Sequence, residues 1–392
     1  MARARARRRD KVVLLGVARR ARPALMMSTA LQATVSLVLT LPAQAQPAPN
    51  ARPTGGVVIA GSASINQTAG NTAINQSSQR AAVNWQSFNV GSQQSVSFHQ
   101  PSSTAVTLNR VVGPDPSQIA GRIDANGQVV LINQSGVTFT KGAQVNTNGL
   151  MVSAIGMSSK AVQGFMAGGK VVLDQPGNPN AAVVNDGNIT VKQAGLAALV
   201  APQVANHGTI TATLGHVVLA GAKTATLDLY GDGLLSLDVT NRVTQVPAGK
   251  DGKPVAALVT NTGVIIADGG TVQLTARAAD GIVQTLVDAG GTIRTATMGE
   301  HTGTIALNGV GGSIIVEGQL SAVGTKPGTV GGAIEAVTDG NVGVASTARI
   351  DASGKAGGGT VGIGTTLARA KGGPGVTSTL TAKNVAVAKG AT

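Results

Sequence analysis

Apolar and polar positions along this chain fall into one short phrase that returns at intervals: a turn built on Asn and Gly, then apolar residues two apart. Asn185-Asp186-Gly187-Asn188-Ile189-Thr190-Val191 is echoed by Asn206-His207-Gly208-Thr209-Ile210-Thr211-Ala212 and by Asn261-Thr262-Gly263-Val264-Ile265-Ile266-Ala267. About nine residues after each phrase opens, a second strand-like run starts at a glycine: Gly195-Leu196, Gly215-His216-Val217-Val218-Leu219 and Gly270-Thr271-Val272-Gln273-Leu274. Alternation with period two marks strands. Self-similarity near 20 residues, made of strands and turns, marks a solenoid whose coils stack into parallel ladders. The pattern predicts an all-β fold, a parallel β-helix running from about residue 57 to the C-terminus.

Beyond residue 280 the phrase turns Gly-rich, as in Gly303-Thr304-Ile305-Ala306-Leu307 and Gly311-Gly312-Ser313-Ile314-Ile315-Val316, with the Gly pairs read as corners. At about 20 residues per coil this predicts about 17 coils and a solenoid about 80 Å long. Two breaks interrupt the rhythm. Lys160–Ala167 is compatible with a short, weak helix and Asp174–Asn180 is turn chemistry, so together they read as an excursion between coils. Val246–Pro254 is a second inserted loop. Trp85, Phe88, Phe98 and Phe139 gather near one end, where a solenoid needs a cap over open strand edges. The chain closes at Ala388–Thr392 still in repeat texture, which reads as a truncated repeat or a frayed last coil.

The first 45 residues are of another kind. Nine Arg and Lys precede an apolar stretch from Ala24 to Leu41, and Pro42-Ala43-Gln44-Ala45 offers an A-x-A cleavage site after Ala45. This reads as an extended secretion signal, followed by a Pro/Ala linker over residues 46–55. Removing the signal, which carries a net +8, takes the formal charge of the 392-residue chain from +13 to +5. Aromatics make up 2% of the chain, so a nucleic-acid partner has little to stand on. The absence of Cys excludes disulfides and thiolate metal sites, and leaves backbone ladders and apolar burial to hold the fold.

Candidate chemistry is sparse. Asp228, Asp232 and Asp238, with Arg242 as the nearest arginine, resemble the acidic groups of polysaccharide-cutting β-helices, but Asp232 between two glycines reads as a turn residue. His207 and His216 lie in adjacent strands of one repeat, while His99 and His301 are remote, and no metal-ligand spacing results. No Cys or G-x-S-x-G nucleophile is present. The reading is therefore no catalytic residue, no metal, no cofactor and no enzyme. Asn66-Gln67, Asn75-Gln76 and Asn133-Gln134 recur after Ile; the first two read as amide ladders or turns satisfying backbone groups.

Phe88-Asn89-Val90, Leu108-Asn109-Arg110-Val111, Asn126–Asn133, Gly136-Val137-Thr138-Phe139 and Gly142–Leu150 together resemble the secretion domain of two-partner secretion exoproteins of the filamentous haemagglutinin kind. The resemblance implies a right-handed parallel β-helix with an N-terminal cap and short β extensions. It divides the mature chain into a secretion domain at 56–182 and haemagglutinin-type repeats at 183–392. It implies export by a dedicated outer-membrane β-barrel transporter with periplasmic recognition domains, to a secreted or surface-exposed state. An adhesin-like exoprotein acting as a monomer on a host-surface or matrix glycan or protein, or on other bacteria, is the leading expectation. A toxin or haem-acquisition role by the same route is the alternative, and a β-helical polysaccharide-acting enzyme is the third reading. Of two short motifs found in the family, N-P-N-G-I is matched by Asn133-Gln134-Ser135-Gly136-Val137, with Pro-Asn replaced by Gln-Ser, while N-P-N-L has no clear counterpart. These five residues are the expected transporter-recognition turn, with Asn133 and Gly136 tolerating positive φ and the Asn133 amide satisfying the turn's backbone.

Overall fold

The structure, a computed structural model, describes residues 46–229, 238–249, 251–367 and 380–392, with backbone only at 238–240. The basic leader and its Ala45 site lie outside the described residues, as does Asp232. From residue 57 the chain winds as a parallel β-helix with three ladders, visited in fixed order. One coil shows the order: Gln203–Asn206 lies in ladder I, Thr209–Thr211 in ladder II and His216–Gly221 in ladder III. Ladder I has nine strands, and ladders II and III have eleven each.

Ladder II shows why the alternating phrase folds this way. Ile123, Val145, Ile189, Ile210, Ile265, Ile293 and Leu320 fall on one register column and are all buried. Burying each such side chain stabilises the coil by about 1.5–3 kcal/mol. One apolar core runs from Ile74 to Ala348, so the polar N-terminal region is no separate globular domain. The ladders pass residue 183 without a break, inside strand Ala182–Asn185.

The N-terminal end is closed by strands that run the other way. Val57–Ala60 pairs antiparallel with Arg80–Trp85, and Ala63–Gln67 antiparallel with Asn71–Gln76. Beneath them Trp85 and Phe88 pack edge to face at 5.4 Å, and the Trp85 indole N–H donates to Asn109 Oδ1 at 3.0 Å. The stretch read as a linker is docked here, since Gly91 N donates to Ala51 O and Gln93 N to Pro49 O. Gln67 and Gln76 satisfy backbone groups, the former at Pro53 O and the latter at Ser78 O and Val106 O, and build no amide ladder.

Eleven strands at about 4.8 Å per step span about 48 Å. The expected 17 coils and 80 Å are too many, because long stretches leave the coil. Residues 154–181 and, among the described residues, 222–229, 238–249 and 251–256 leave the coil after ladder III, and their first parts cross its outer face. They include helix Ser159–Met166 and strands Val171–Leu173, Thr224–Leu227 and Asp238–Asn241, which form a small antiparallel sheet. The Ser158 hydroxyl caps the helix by accepting from Ala161 N, and Asp174 accepts from both Ser158 N and Oγ. At the other end Arg80 donates to Phe165 O, to Gly169 O at 2.9 Å and to Gly168 O at 3.1 Å, with its guanidinium 4.6 Å from the Phe165 ring centroid. The helix buries Ala161, Val162 and Phe165 in a second core with Leu108, Val130, Ile132, Val200 and Val218 of ladder III. Ladder III is thus covered on both faces, and its strands there are continuous apolar runs: Gln128–Asn133, Leu196–Ala201, His216–Gly221. Past the cover, burial alternates strictly along Thr304–Val310 and over the first four residues of Thr271–Arg277.

The corner between ladders I and II holds the repeat phrase. Its Asn side chains stack inside: Asn185 Nδ2 donates to Asn206 Oδ1 at 2.8 Å, and Asn206 Nδ2 to Asn261 Oδ1 at 2.7 Å, all three fully buried. Phe139 precedes this column and Ala289 follows it. Two residues later in each phrase, Gly187, Gly208, Gly263, Gly291 and Gly318 form a second column. A Cβ on any of the last four would lie within 3.0 Å of the carbonyl oxygen of the glycine one coil before. From Asn185 to Gln319 this corner is always two residues long, whereas the other two corners vary.

Candidate functional site

The turn at 133–137 is built by the coil on either side of it. Strand Gln128–Asn133 ends with Asn133 fully buried, and its amide donates to Asp115 O and to Ser117 Oγ, both at 2.9 Å. Its Oδ1 accepts from Ser135 N at 2.9 Å, and its carbonyl from Gly136 N at 2.9 Å. The side chain thus ties its own turn to the preceding one, as its sequence position suggests. The positive φ expected of both residues is carried by Gly136, at 107°; Asn133 ends a strand in extended backbone. Gln134 is exposed and donates to Gln175 O at 3.2 Å, while Ser135 Oγ donates to Pro114 O at 2.6 Å. Val137 is buried in the core. Three successive turns, at 112–117, 133–137 and 175–182, are pinned together here.

Ser135, Gly136 and Val137 also line one end of a groove of about 520 Å³ on the outer face of ladder I. Its far end holds His207, whose Nδ1 lies 2.7 Å from Asp186 Oδ1, with the side chains 48% and 33% exposed. Sequence reasoning missed this pair because it looked for ligands close along the chain. The signal was present: each residue directly follows a ladder Asn, so one coil of stacking brings them together. His216 opens a strand of ladder III and lines a different cleft beside Asp228, so His207 and His216 share no site. Burial holds the His216 imidazole below its ordinary pKa.

The acidic group is dispersed where it is described. Asp228 pairs with Lys170 at 3.5 Å and Arg242 with Asp280 at 3.1 Å, while Asp232 and the Asp238 side chain lie outside the described residues. No group of three or more His, Asp or Glu able to hold a metal ion occurs among the described residues. His99 borders a shallow groove of about 680 Å³ on ladder II with Asp124, Asn146 and Lys192. No helix among the described residues is long and apolar enough to cross a membrane.

Known proteins share this arrangement. The family profile described as TPS secretion domain matches residues 50–322, well over half the chain. The secretion domain of HMW1 from Haemophilus influenzae superposes with a TM-score of 0.71 at 27% identity, covering 86% of this chain and 82% of that one. In sequence, a heme/hemopexin-binding protein of Haemophilus influenzae is 29% identical over 230 residues, 57% of this chain and 24% of that protein. Another protein of that name from Haemophilus influenzae is 46% identical over 69 residues, 18% of this chain and 7% of the relative. The chain therefore spans less than a quarter of the length of the curated relatives it matches. With the capped parallel β-helix and the profile match in agreement, the chain belongs to the two-partner secretion (TPS) domain family, whose members are exported across the outer membrane through a dedicated transporter.

Proposed function

We propose that this chain carries the export determinant of an exoprotein that acquires haem, directly or from its carrier protein, outside the cell or at its surface. The observation that supports the haem reading over the adhesin reading is the 230-residue match to a protein named for heme and hemopexin binding. The export reading has a physical route. The chain has no Cys, so no disulfide has to form or break before translocation. Solenoid coils template one another, so folding that starts at the antiparallel cap draws the emerging chain outward, coil by coil. The reading assigns no catalysis, in keeping with the engagement of Asp228 and Arg242 by other partners.

Within this scheme Asn133, Gln134, Ser135, Gly136 and Val137 are the recognition turn. Asn133, Gly136 and Val137 are buried once the coils form, so the transporter reads them before folding. The test is secretion of the full chain co-expressed with its transporter, beside binding of the urea-unfolded chain to the transporter's periplasmic domains. Asn133→Ala removes three hydrogen bonds and should cost about 2–4 kcal/mol of folding stability. Recognition predicts that it weakens binding of the unfolded chain as well; unchanged binding leaves the turn a folding element only.

One feature favours adhesion as a second reading. The outer face of ladder II sets Asn146, Thr190 and Thr211 on one column and Gln144, Asn188 and Thr209 on the next. A flat face of amides and hydroxyls suits a glycan. A glycan array with no hit for the exported protein removes this reading.

A further inference from the structure

The Asn133 turn has a counterpart one coil later. Among the described residues, the side chains of Asn133, Asn178, Asn185, Asp251 and Asp351 each accept from the backbone N–H two residues on. Within that group, Asn133 and Asn178 alone also accept, on their own carbonyl, from the N–H three residues on. At Asn178 the donors are Asn180 N and Ala181 N, both at 2.9 Å, which matches the 2.9 Å from Ser135 N and from Gly136 N at Asn133. Each turn then delivers the chain into ladder I, to the neighbouring parallel strands Val137–Phe139 and Ala182–Asn185. The two turns also touch, since Asn178 N donates to Gln134 O at 3.2 Å.

What separates the two turns is how much of the fold each one uses. Asn133 is buried, and its amide donates to Asp115 O and Ser117 Oγ of the preceding turn. Asn178, Pro179 and Asn180 are exposed, and the Asn178 amide nitrogen has no partner among the described residues. Asn180 has a structural task, accepting from Ala248 N at 2.9 Å and so holding the 246–254 insertion. The Asn178 side chain has none beyond its own turn. Both bonds that close this turn are local, and Pro179 fixes its own φ at the value the turn requires. It therefore forms in a short segment before any coil exists, which is the state in which the transporter takes the chain. We infer that Asn178-Pro179-Asn180 is a second recognition turn for the transporter's periplasmic domains, offering the Asn178 amide as a turn-held donor in the way the unfolded Asn133 turn offers its own. The inference rests on the recognition role assigned above to residues 133–137. Two such turns on one flexible chain give a linked pair of contacts, in which holding one raises the effective concentration of the other.

The test is binding of the full chain, freshly diluted from urea, to the transporter's periplasmic domains, with secretion measured in cells that carry both proteins. Asn178→Ala should leave the urea-unfolding midpoint of the folded chain unchanged, weaken binding about 10-fold or more, and lower secretion. Asn178→Asp closes the same turn without an amide donor and should weaken binding as much. Wild-type binding by either variant overturns the inference. Asn133→Ala in the same assay separates the two readings. If Asn133→Ala weakens binding and Asn178→Ala does not, the second turn falls and the first stands. If Asn178→Ala weakens binding and Asn133→Ala does not, recognition belongs to the second turn and the reading of 133–137 falls. If neither variant weakens binding, both fall.

Discussion

Replacing the middle rung of the asparagine ladder should cost more than replacing an end rung. Asn206 accepts from Asn185 and donates to Asn261, so Asn206→Ala strands a donor and an acceptor in fully buried positions. Asn185 Nδ2 keeps only a long contact to Thr209 O at 3.4 Å. Each stranded buried group costs about 1–3 kcal/mol, so the variant should lose about 2–6 kcal/mol. Asn261→Ala strands only Asn206 Nδ2, which still reaches Gly208 O at 3.4 Å, and should lose about 1–3 kcal/mol. Alanine already fits the next rung, where Ala289 follows Asn261. Removing all three asparagines leaves no amide waiting for a partner, so the triple variant should fall short of the summed single losses by about 2 kcal/mol or more. Urea unfolding followed by circular dichroism, with the wild type, the three single variants and the triple variant in parallel, measures this. Equal losses at Asn206 and Asn261, or a triple variant equal to the sum, would show that the ladder is packing and not coupled hydrogen bonding.

Three further outcomes are expected. Gly263→Ala sets a methyl against the Gly208 carbonyl and should cost about 1–3 kcal/mol in the same urea assay, against no measurable loss for the control Gly164→Ala, where a Cβ meets open space. Arg80→Met releases the carbonyls at the end of helix Ser159–Met166 and should speed proteolysis between residues 166 and 171, with little change elsewhere; unchanged cleavage would show that the guanidinium does not hold the helix. Burial raises the Glu335 carboxyl pKa against the opposing hydrogen bond from Leu367 N, so the folded state holds that proton more tightly than the unfolded chain. Wild-type stability should therefore fall relative to Glu335→Gln as pH rises from about 4 to 7; a constant difference across that range would exclude the effect.

Strand positions were legible because each coil repeats a period-two pattern with one apolar column facing in. The Ile189, Ile210 and Ile265 column follows directly from aligning the Asn-x-Gly phrases. The coil number was not legible, because the length of an excursion carries no periodic mark. The clue lay in Leu196–Ala201 and His216–Gly221, whose unbroken apolar runs imply a covered outer face and hence chain spent on the cover. The Asn of the repeat phrase looked like turn chemistry, and only stacking makes it a buried ladder. The hydrogen-bonding part of Asn133 was legible because its amide works within its own turn and the preceding one, while the positive φ expected of it falls to Gly136 alone. His207 and Asp186 meet only through the stack, 21 residues apart, so their pairing became visible once the register was known.

The two-residue corner between ladders I and II works as a spine that tolerates no growth. One residue inserted between Asn206 and Thr209 would displace both the amide stack and the glycine column, in its own coil and in the coils on either side. Length can change only at the other two corners, as it does after ladder III at residues 154–181 and after ladder II at residues 295–303. New contact surfaces in a protein of this design therefore arise on the sides away from the spine, and a lineage can diversify what it touches while the coil that must thread and refold during export stays the same.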